Sequence, residues 1–158
     1  MTIEVYGHRG AAAYAPENTL AGIEKGLELG ADGIEFDVRL SYENSVVLSH
    51  DAAINRMTAL PKSHEPLYIR NLTVLELKMY DIFMNSKKTG EKIPTLEEAL
   101  ETIGSKAIPV IELKVPDYEK AVKIVKDMKA EPIFVSFFHQ LIKELKEHES
   151  VYKAGILM

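Results

Sequence analysis

Acidic side chains alternate with apolar ones in two separate stretches of this chain, Gly33-Ile34-Glu35-Phe36-Asp37-Val38-Arg39 and Ile111-Glu112-Leu113-Lys114. Successive side chains of a β-strand point to opposite faces, so Ile34, Phe36 and Val38 share one face while Glu35, Asp37 and Arg39 share the other. Two carboxylates that close repel each other unless something positive lies between them. Ion pairs with Arg39 or Lys114 would account for the first stretch taken alone. Glu112 repeats the pattern, however, and three acids meeting inside a sheet are costly to bury without ionic compensation. A hard divalent cation is the simplest compensation, because Mg²⁺ and Ca²⁺ prefer carboxylate oxygens. Glu35, Asp37 and Glu112 are therefore the candidate metal ligands.

His8 and His50 each close a strand-like run and are the candidate general acid and base, since imidazole exchanges protons near neutral pH. Either one alone reads equally well as a structural histidine; a pair beside a metal favours chemistry. Arg9 and Lys114 are the cations that a phosphate would want, Arg9 through bidentate hydrogen bonds and Lys114 as a point charge. His64, His139 and His148 fall on loop-like or helix-like stretches and read as solvated. Asn18 and Thr19 read as helix-capping residues, and Ser136 as structural. The chain has no glycine-rich phosphate loop and no His-x-His pair.

The elements that must position these groups alternate between strands and helices. Ile3 to Gly7 reads as a first strand ending in His8-Arg9-Gly10. A helix follows, with Leu20, Ile23 and Leu27 on one face and Gly30 as its stop. After the Gly33 strand, seven residues (39–45) precede Val46, fewer than the dozen or so that a helical crossover requires. Either a hairpin turning at Glu43-Asn44, which would set Asp37 opposite His50, or an extended crossover brings the His50 imidazole beside the carboxylates. Residues 52–92 read as a loop-rich insertion with a short helix from Thr73 to Tyr80. Thr95 and Glu98 form a capping box, with Gly104 closing that helix. Strands at Ile108 to Val115 and Ile133 to Ser136, a helix capped by Asp117, another around Leu141 and Leu145, and a strand-like end at 154–158 complete six strands. This alternation predicts an α/β fold with a parallel sheet, in which His8, Glu35, Asp37, His50, Glu112 and Lys114 lie at carboxyl ends of strands.

Composition excludes several classes of function. A net charge of −5 and a pI of about 5.6 offer no general attraction to nucleic acid or anionic membrane. No apolar run approaches the roughly 18 residues of a membrane span, and the start lacks a signal-peptide pattern, so a cytoplasmic location without stable membrane insertion is expected. With no cysteine, any metal must be held by oxygen or imidazole.

In order, His8-Arg9-Gly10, Pro16-Glu17-Asn18-Thr19, Glu35-Phe36-Asp37-Val38, His50-Asp51, Ile93-Pro94-Thr95-Leu96-Glu97-Glu98-Ala99-Leu100 and Ile111-Glu112-Leu113-Lys114 resemble the motif set of the glycerophosphodiester phosphodiesterase family. Asn55-Arg56-Met57-Thr58 resembles the segment after that family's second histidine. The resemblance runs from Tyr6 to the chain end. It implies a TIM-type (β/α) barrel with a divalent ion on Glu35, Asp37 and Glu112; Mg²⁺ or Ca²⁺ is expected, with Mn²⁺ as an alternative. It also implies His8 and His50 as the acid/base pair and Arg9 and Lys114 near the phosphate of a small-molecule glycerophosphodiester. The implied reaction releases an alcohol and sn-glycerol 3-phosphate. Its rivals are a lysophospholipase-D-like or cyclising lyase activity and a catalytically silent metal- or phosphate-binding barrel fragment. The expected organisation is one domain over 1–158 carrying the insertion, with about six of the eight strands of such a barrel, incomplete at the C-terminus. Open edges of that kind would favour a homo-oligomer.

Overall fold

A computed structural model describes residues 3–61 and 63–158. Six strands form one sheet: β1 (Tyr6–Gly7), β2 (Gly33–Leu40), β3 (Val46–Leu48), β6 (Ile108–Leu113), β7 (Ile133–Ser136) and β8 (Lys153–Ile156). A separate two-stranded ribbon joins β4 (Phe83–Met84) to β5 (Lys87–Lys88). The main sheet runs β1-β2-β6-β7-β8 with every neighbour parallel, while β3 pairs antiparallel with β2.

The period-two alternation in β2 and β6 sorts the side chains as the sequence predicts. Ile34, Phe36, Val38, Ile111, Leu113 and Phe134 are buried against the helices. Those helices are α1 (Leu20–Glu28), α3 (Leu96–Ile103), α4 (Glu119–Met128) and α5 (His139–His148). They contribute Ile23, Leu100, Ile103, Val125 and Leu145 to the same core. The opposite face of the sheet carries Glu35, Asp37 and Glu112, and the register sets Asp37 directly beside Glu112. None of the helices among the described residues is long and apolar enough to cross a membrane.

The link after β2 is the hairpin rather than the crossover, and its register differs by one residue from a turn at Glu43-Asn44. Val38 faces Leu48 and Leu40 faces Val46, so Ser49 stands opposite Asp37 and donates its N–H to the Asp37 carbonyl at 3.0 Å. The cause is a three-residue loop, 42–44, closed by the Ser41 N–H on the Ser45 carbonyl. Asn44 takes the left-handed position at φ 63°, which such loops require.

β2 has two edges, and β6 occupies one along residues 33–38. β1 and β3 share the other: β1 pairs with Gly33 and Ile34, β3 with Val38 to Leu40. One runs parallel to β2 and the other antiparallel, so their carboxyl ends converge on the same short gap. Gly10 N–H reaches the Glu35 carbonyl at 3.0 Å from one side and Ser49 reaches that of Asp37 from the other.

Residues 52–92 contribute Ile54, Met57, Ile69, Leu77 and Ile82 to a second apolar cluster, which Ile93 joins around Val47 of β3. Within it the helix expected over 73–80 is a single turn, α2 (Val74–Leu77), closed by a Thr73/Glu76 capping box. The polar stretch from Asn85 is the β4–β5 turn, with Asn85 and Ser86 both left-handed at φ 51° and 63°, the signature of a two-residue hairpin. α4 starts at Glu119 with no side-chain cap, so Asp117 does not take the role expected of it.

Gly10 and Gly30 share nearly the same backbone conformation, φ 83° and 80°, but not the same space. A Cβ on Gly10 would lie 2.5 Å from the Gly22 carbonyl carbon, whereas one on Gly30 meets nothing within 4 Å. Gly30→Ala should therefore cost only the left-handed penalty of about 1–2 kcal/mol. Gly10→Ala should cost at least ~1 kcal/mol more, because α1 must also move. Urea midpoints of the two variants check this; equal midpoints would show that packing of α1 on this loop is not the constraint.

Candidate active site

The converging ends of β1 and β3 deliver the site. After β1 the chain turns through Arg9 and Gly10, both with positive φ, which aims the Arg9 N–H at Glu35 Oε2 at 2.8 Å. Asn18, also left-handed at φ 53°, ties its own N–H to the Arg9 carbonyl at 3.0 Å. Its buried side chain then clamps Asp37 twice. Nδ2 donates to Asp37 Oδ2 at 2.9 Å, and Oδ1 accepts from the Asp37 N–H at 3.0 Å. Thr19 caps α1 by accepting from the Gly22 N–H.

Glu35, Asp37 and Glu112 each present a carboxylate oxygen, and these oxygens lie within 4.8 Å of one another. Lys114 Nζ lies 3.1 Å from Asp37 Oδ1 and hydrogen-bonds Glu112 Oε1. Arg9 Nε stands 3.5 Å from Asp37 Oδ2. These contacts leave both Asp37 Oδ1 and Arg9 Nε buried and outside hydrogen-bonding geometry. Such orphaned atoms are uncommon in a folded interior.

Electrostatics separate the three acids. Burial pushes Glu35 up to about 7, and the negative Asp37 and Glu112 push in the same direction against the Arg9 N–H. Glu112 is also raised, chiefly by burial, with Asp37 adding to it and Lys114 opposing. For Asp37 burial acts upward too, but the Asn18 amide and Lys114 outweigh it and hold the carboxyl below its usual value.

His8, Arg9, Glu35, His50, Glu112 and Lys114 line a single cavity of about 510 Å³, whose remaining wall includes Val110, Val135 and the exposed ring of Phe137. Lys114 Nζ sits 5.6 Å from the Phe137 ring centroid, within cation–π range. Asp37 lies just beneath, 1% exposed. All seven residues singled out from the sequence thus come together at one end of the sheet. His64, His139 and His148 are exposed elsewhere, and Ser136 is buried with its hydroxyl on the Leu113 carbonyl.

Several contributors were not singled out. Asn18 reads as a capping residue, yet Thr19 caps the helix and Asn18 holds Asp37. Arg39 does not pair with the carboxylates on its own face; its guanidinium grips the His50 carbonyl at 3.0 and 2.7 Å. Asp51 meets His50 Nδ1 at 2.8 Å, and Glu17 and Arg56 continue from it as a charged chain. An alternation pattern cannot find these, because each partner lies in a loop.

The sequence profile of the Glycerophosphoryl diester phosphodiesterase family matches residues 8–154. A curated "Glycerophosphodiester phosphodiesterase" of Caldanaerobacter subterraneus is 37% identical over 97% of this chain and 65% of its own length. The crystal structure of a glycerophosphodiester phosphodiesterase from Thermotoga maritima superposes with a TM-score of 0.81 at 38% identity, covering 100% of this chain and 63% of that one. A phosphodiesterase of Oleispira antarctica, solved with its product sn-glycerol-3-phosphate, superposes with a TM-score of 0.85 at 28% identity, covering 98% and 65%. The chain therefore spans less than two thirds of the length of these relatives. The Thermotoga structure is a glycerophosphodiester phosphodiesterase by name and the Oleispira one a phosphodiesterase, and the α/β sheet here takes its place in their fold.

Glu35 carries a direct consequence for stability. Its carboxyl binds a proton more tightly folded than unfolded, so folding loses free energy as pH rises from about 4.5 to about 7 and then levels off. In the presence of a chelator, wild-type stability should fall across that window by roughly 1–3 kcal/mol. Glu35→Gln should flatten the profile. Urea titrations at several pH values check it, and an unchanged slope in the variant would remove Glu35 as the source.

Proposed function

The chain belongs to the glycerophosphoryl diester phosphodiesterase family, and from that premise we propose that it hydrolyses glycerophosphodiesters to an alcohol and sn-glycerol 3-phosphate. Glu35, Asp37 and Glu112 hold a divalent cation in this reading, and His8 and His50 transfer the protons. The observation that carries it is the convergence of three carboxylate oxygens within 4.8 Å on a cavity that two histidines from opposing strand ends also line. The product bound in the Oleispira relative supports the choice of substrate class.

The donor set suits a hard cation. All three ligands are carboxylates, which favours Mg²⁺, Ca²⁺ or Mn²⁺ over softer metals. The buried Asp37 Oδ1 has only the Lys114 ammonium beside it, at 3.1 Å and outside good hydrogen-bond geometry, which leaves this oxygen lone-pair capacity for an ion. When bound, the cation would offset negative charge on a phosphate oxygen and on the attacking oxygen.

The protein's own groups do the rest. Asn18 fixes Asp37 at two points, donating from Nδ2 to the carboxylate Oδ2 and accepting the Asp37 main-chain N–H at its own Oδ1. Arg9 and Lys114 place positive charge where the phosphate would lie, each with hydrogen-bond donors to spare. One imidazole takes a proton from the attacking water or from a glycerol hydroxyl. The other gives a proton to the departing oxygen as its bond to phosphorus breaks. Val110, Val135 and Phe137 form the apolar side of the cavity.

His8→Ala and His50→Ala should each lower kcat on glycerophosphocholine by about 10²–10⁴ while calorimetry still detects metal binding. Near-wild-type turnover in both variants would dismiss the assignment. Attack by water yields glycerol 3-phosphate, and attack by the neighbouring hydroxyl yields a cyclic phosphate; accumulation of the cyclic product would move the enzyme to the lyase class. Because Glu35 must give up its proton to bind a cation, metal affinity should weaken steadily below pH about 7. Isothermal titration at about pH 6, 7 and 8, conditions set at that value and about one unit either side of it, tests this; affinity independent of pH would argue against Glu35 as a ligand.

A further inference from the structure

His8 and His50 differ in their surroundings. His8 is exposed at the rim. His50 is held at both ends: its carbonyl accepts two bonds from Arg39, and its Nδ1 lies 2.8 Å from Asp51 Oδ1. The other Asp51 oxygen faces Arg56 Nε at 2.5 Å. The Arg56 fork then spans both oxygens of Glu17, at 3.1 and 2.7 Å. Glu17 Oε1 also accepts from Arg9 at 3.2 Å, and Arg9 stands beside Asp37. A continuous chain of alternating charge therefore runs from the His50 ring to the acidic cluster.

We propose that Asp51 is a positioning residue that fixes the tautomer of the His50 imidazole, and that Arg56 and Glu17 hold Asp51 in place for that task. The inference rests on His50 as a proton-transfer group and adds how its reactive nitrogen is chosen. An ionised carboxylate only accepts hydrogen bonds. A neutral imidazole facing it must therefore carry its proton on Nδ1, which leaves the lone pair on Nε2. With Nδ1 held by Asp51, Nε2 becomes the ring nitrogen available to the cavity that His50 lines. When Nε2 accepts a proton, the cation formed keeps its donor bond to Asp51 and is stabilised by it, as in other carboxylate–histidine pairs.

The fork from Arg56 matters for orientation more than for stability. Half-exposed ion pairs add little to folding; the side chain of Arg56 is 51% exposed and that of Asp51 31%. A planar guanidinium that engages Glu17 with two nitrogens and Asp51 with a third has a single arrangement that satisfies all of them. That arrangement turns one Asp51 oxygen toward Arg56 and leaves the other for Nδ1. The same contacts tie the loop after β1 to the start of the 52–92 segment, so both histidine-bearing strand ends are referred to one framework.

The experiment uses the full chain labelled with ¹⁵N-histidine in Mg²⁺ buffer, at a pH where imidazole is neutral, with the His50 signals assigned by their loss in His50→Ala. The wild type should show His50 protonated on Nδ1. In Asp51→Asn the amide can donate to Nδ1, so the proton should move to Nε2, and kcat on glycerophosphocholine should fall about 10²-fold or more with KM changed less than about threefold. Arg56→Met, which leaves Asp51 intact, should give a mixture of tautomers and a loss of about tenfold, and the double variant should be no slower than Asp51→Asn alone. It also serves if Asp51→Asn fails to fold. A wild-type His50 carrying its proton on Nε2, or variants in which tautomer and kcat stay unchanged, would overturn the proposal. Absence of hydrolysis by the wild type would instead count against the proposed reaction, and the tautomer measurement would still decide the role of Asp51.

Discussion

Repulsion among Glu35, Asp37 and Glu112 is the constraint that the rest of this structure answers. Three carboxylates placed on one face of two neighbouring strands would be untenable without compensation. The chain supplies part of it through Lys114 on the same strand as Glu112, Arg9 from the turn after β1, and the Asn18 amide. What it supplies is incomplete. Burial still pushes the Glu35 carboxyl up to about 7, and the buried Asp37 Oδ1 has the Lys114 ammonium beside it at 3.1 Å but outside good hydrogen-bond geometry. Both features are what the proposed cation would relieve.

Topology then explains why two histidines flank that cradle. β1 and β3 lie end to end along one edge of β2, and because one is parallel and the other antiparallel their carboxyl ends face each other. Whatever follows each strand emerges at the same gap, beside Glu35 and Asp37. The hairpin after β2 is thus more than a short connection, since a parallel β3 would have presented its opposite end there. The contacts around this gap are polar: Arg39 on the His50 carbonyl, Asn18 on Asp37, and the Glu17 and Arg56 pairs at the rim.

The opposite face of the sheet does different work. Ile34, Phe36, Val38, Ile111, Leu113 and Phe134 pack on the helices, so the strands are positioned by apolar contacts that the acidic face need not provide. A second cluster around Val47 and Ile54 anchors the 52–92 segment and with it Asp51 and Arg56. Stability and chemistry are divided between the two faces of a pleated strand, which lets a site with unfavourable internal electrostatics persist.

Much of this was legible in one dimension because the signals are periodic or local. Alternation put Glu35 and Asp37 on one face of their strand and Glu112 away from the apolar face of its own, and Thr95 with Glu98 marked the start of α3 because a capping box lies within four residues. The ordered motifs, from His8-Arg9-Gly10 to Ile111-Glu112-Leu113-Lys114, pointed to the family. Tertiary structure alone decided the hairpin and its one-residue register, which depend on Asn44 adopting a left-handed backbone. It alone separated Asn18 from Thr19 as clamp and cap, and it turned Arg39 from the acids to the His50 carbonyl. Glu17, Asp51 and Arg56 look like solvated charges until the fold closes gaps of 5 to 39 residues between them. The physical reason is one of range: strand period and helix caps are written in neighbouring residues, whereas a polar side chain chooses its partner from whatever the folded chain brings within hydrogen-bonding distance.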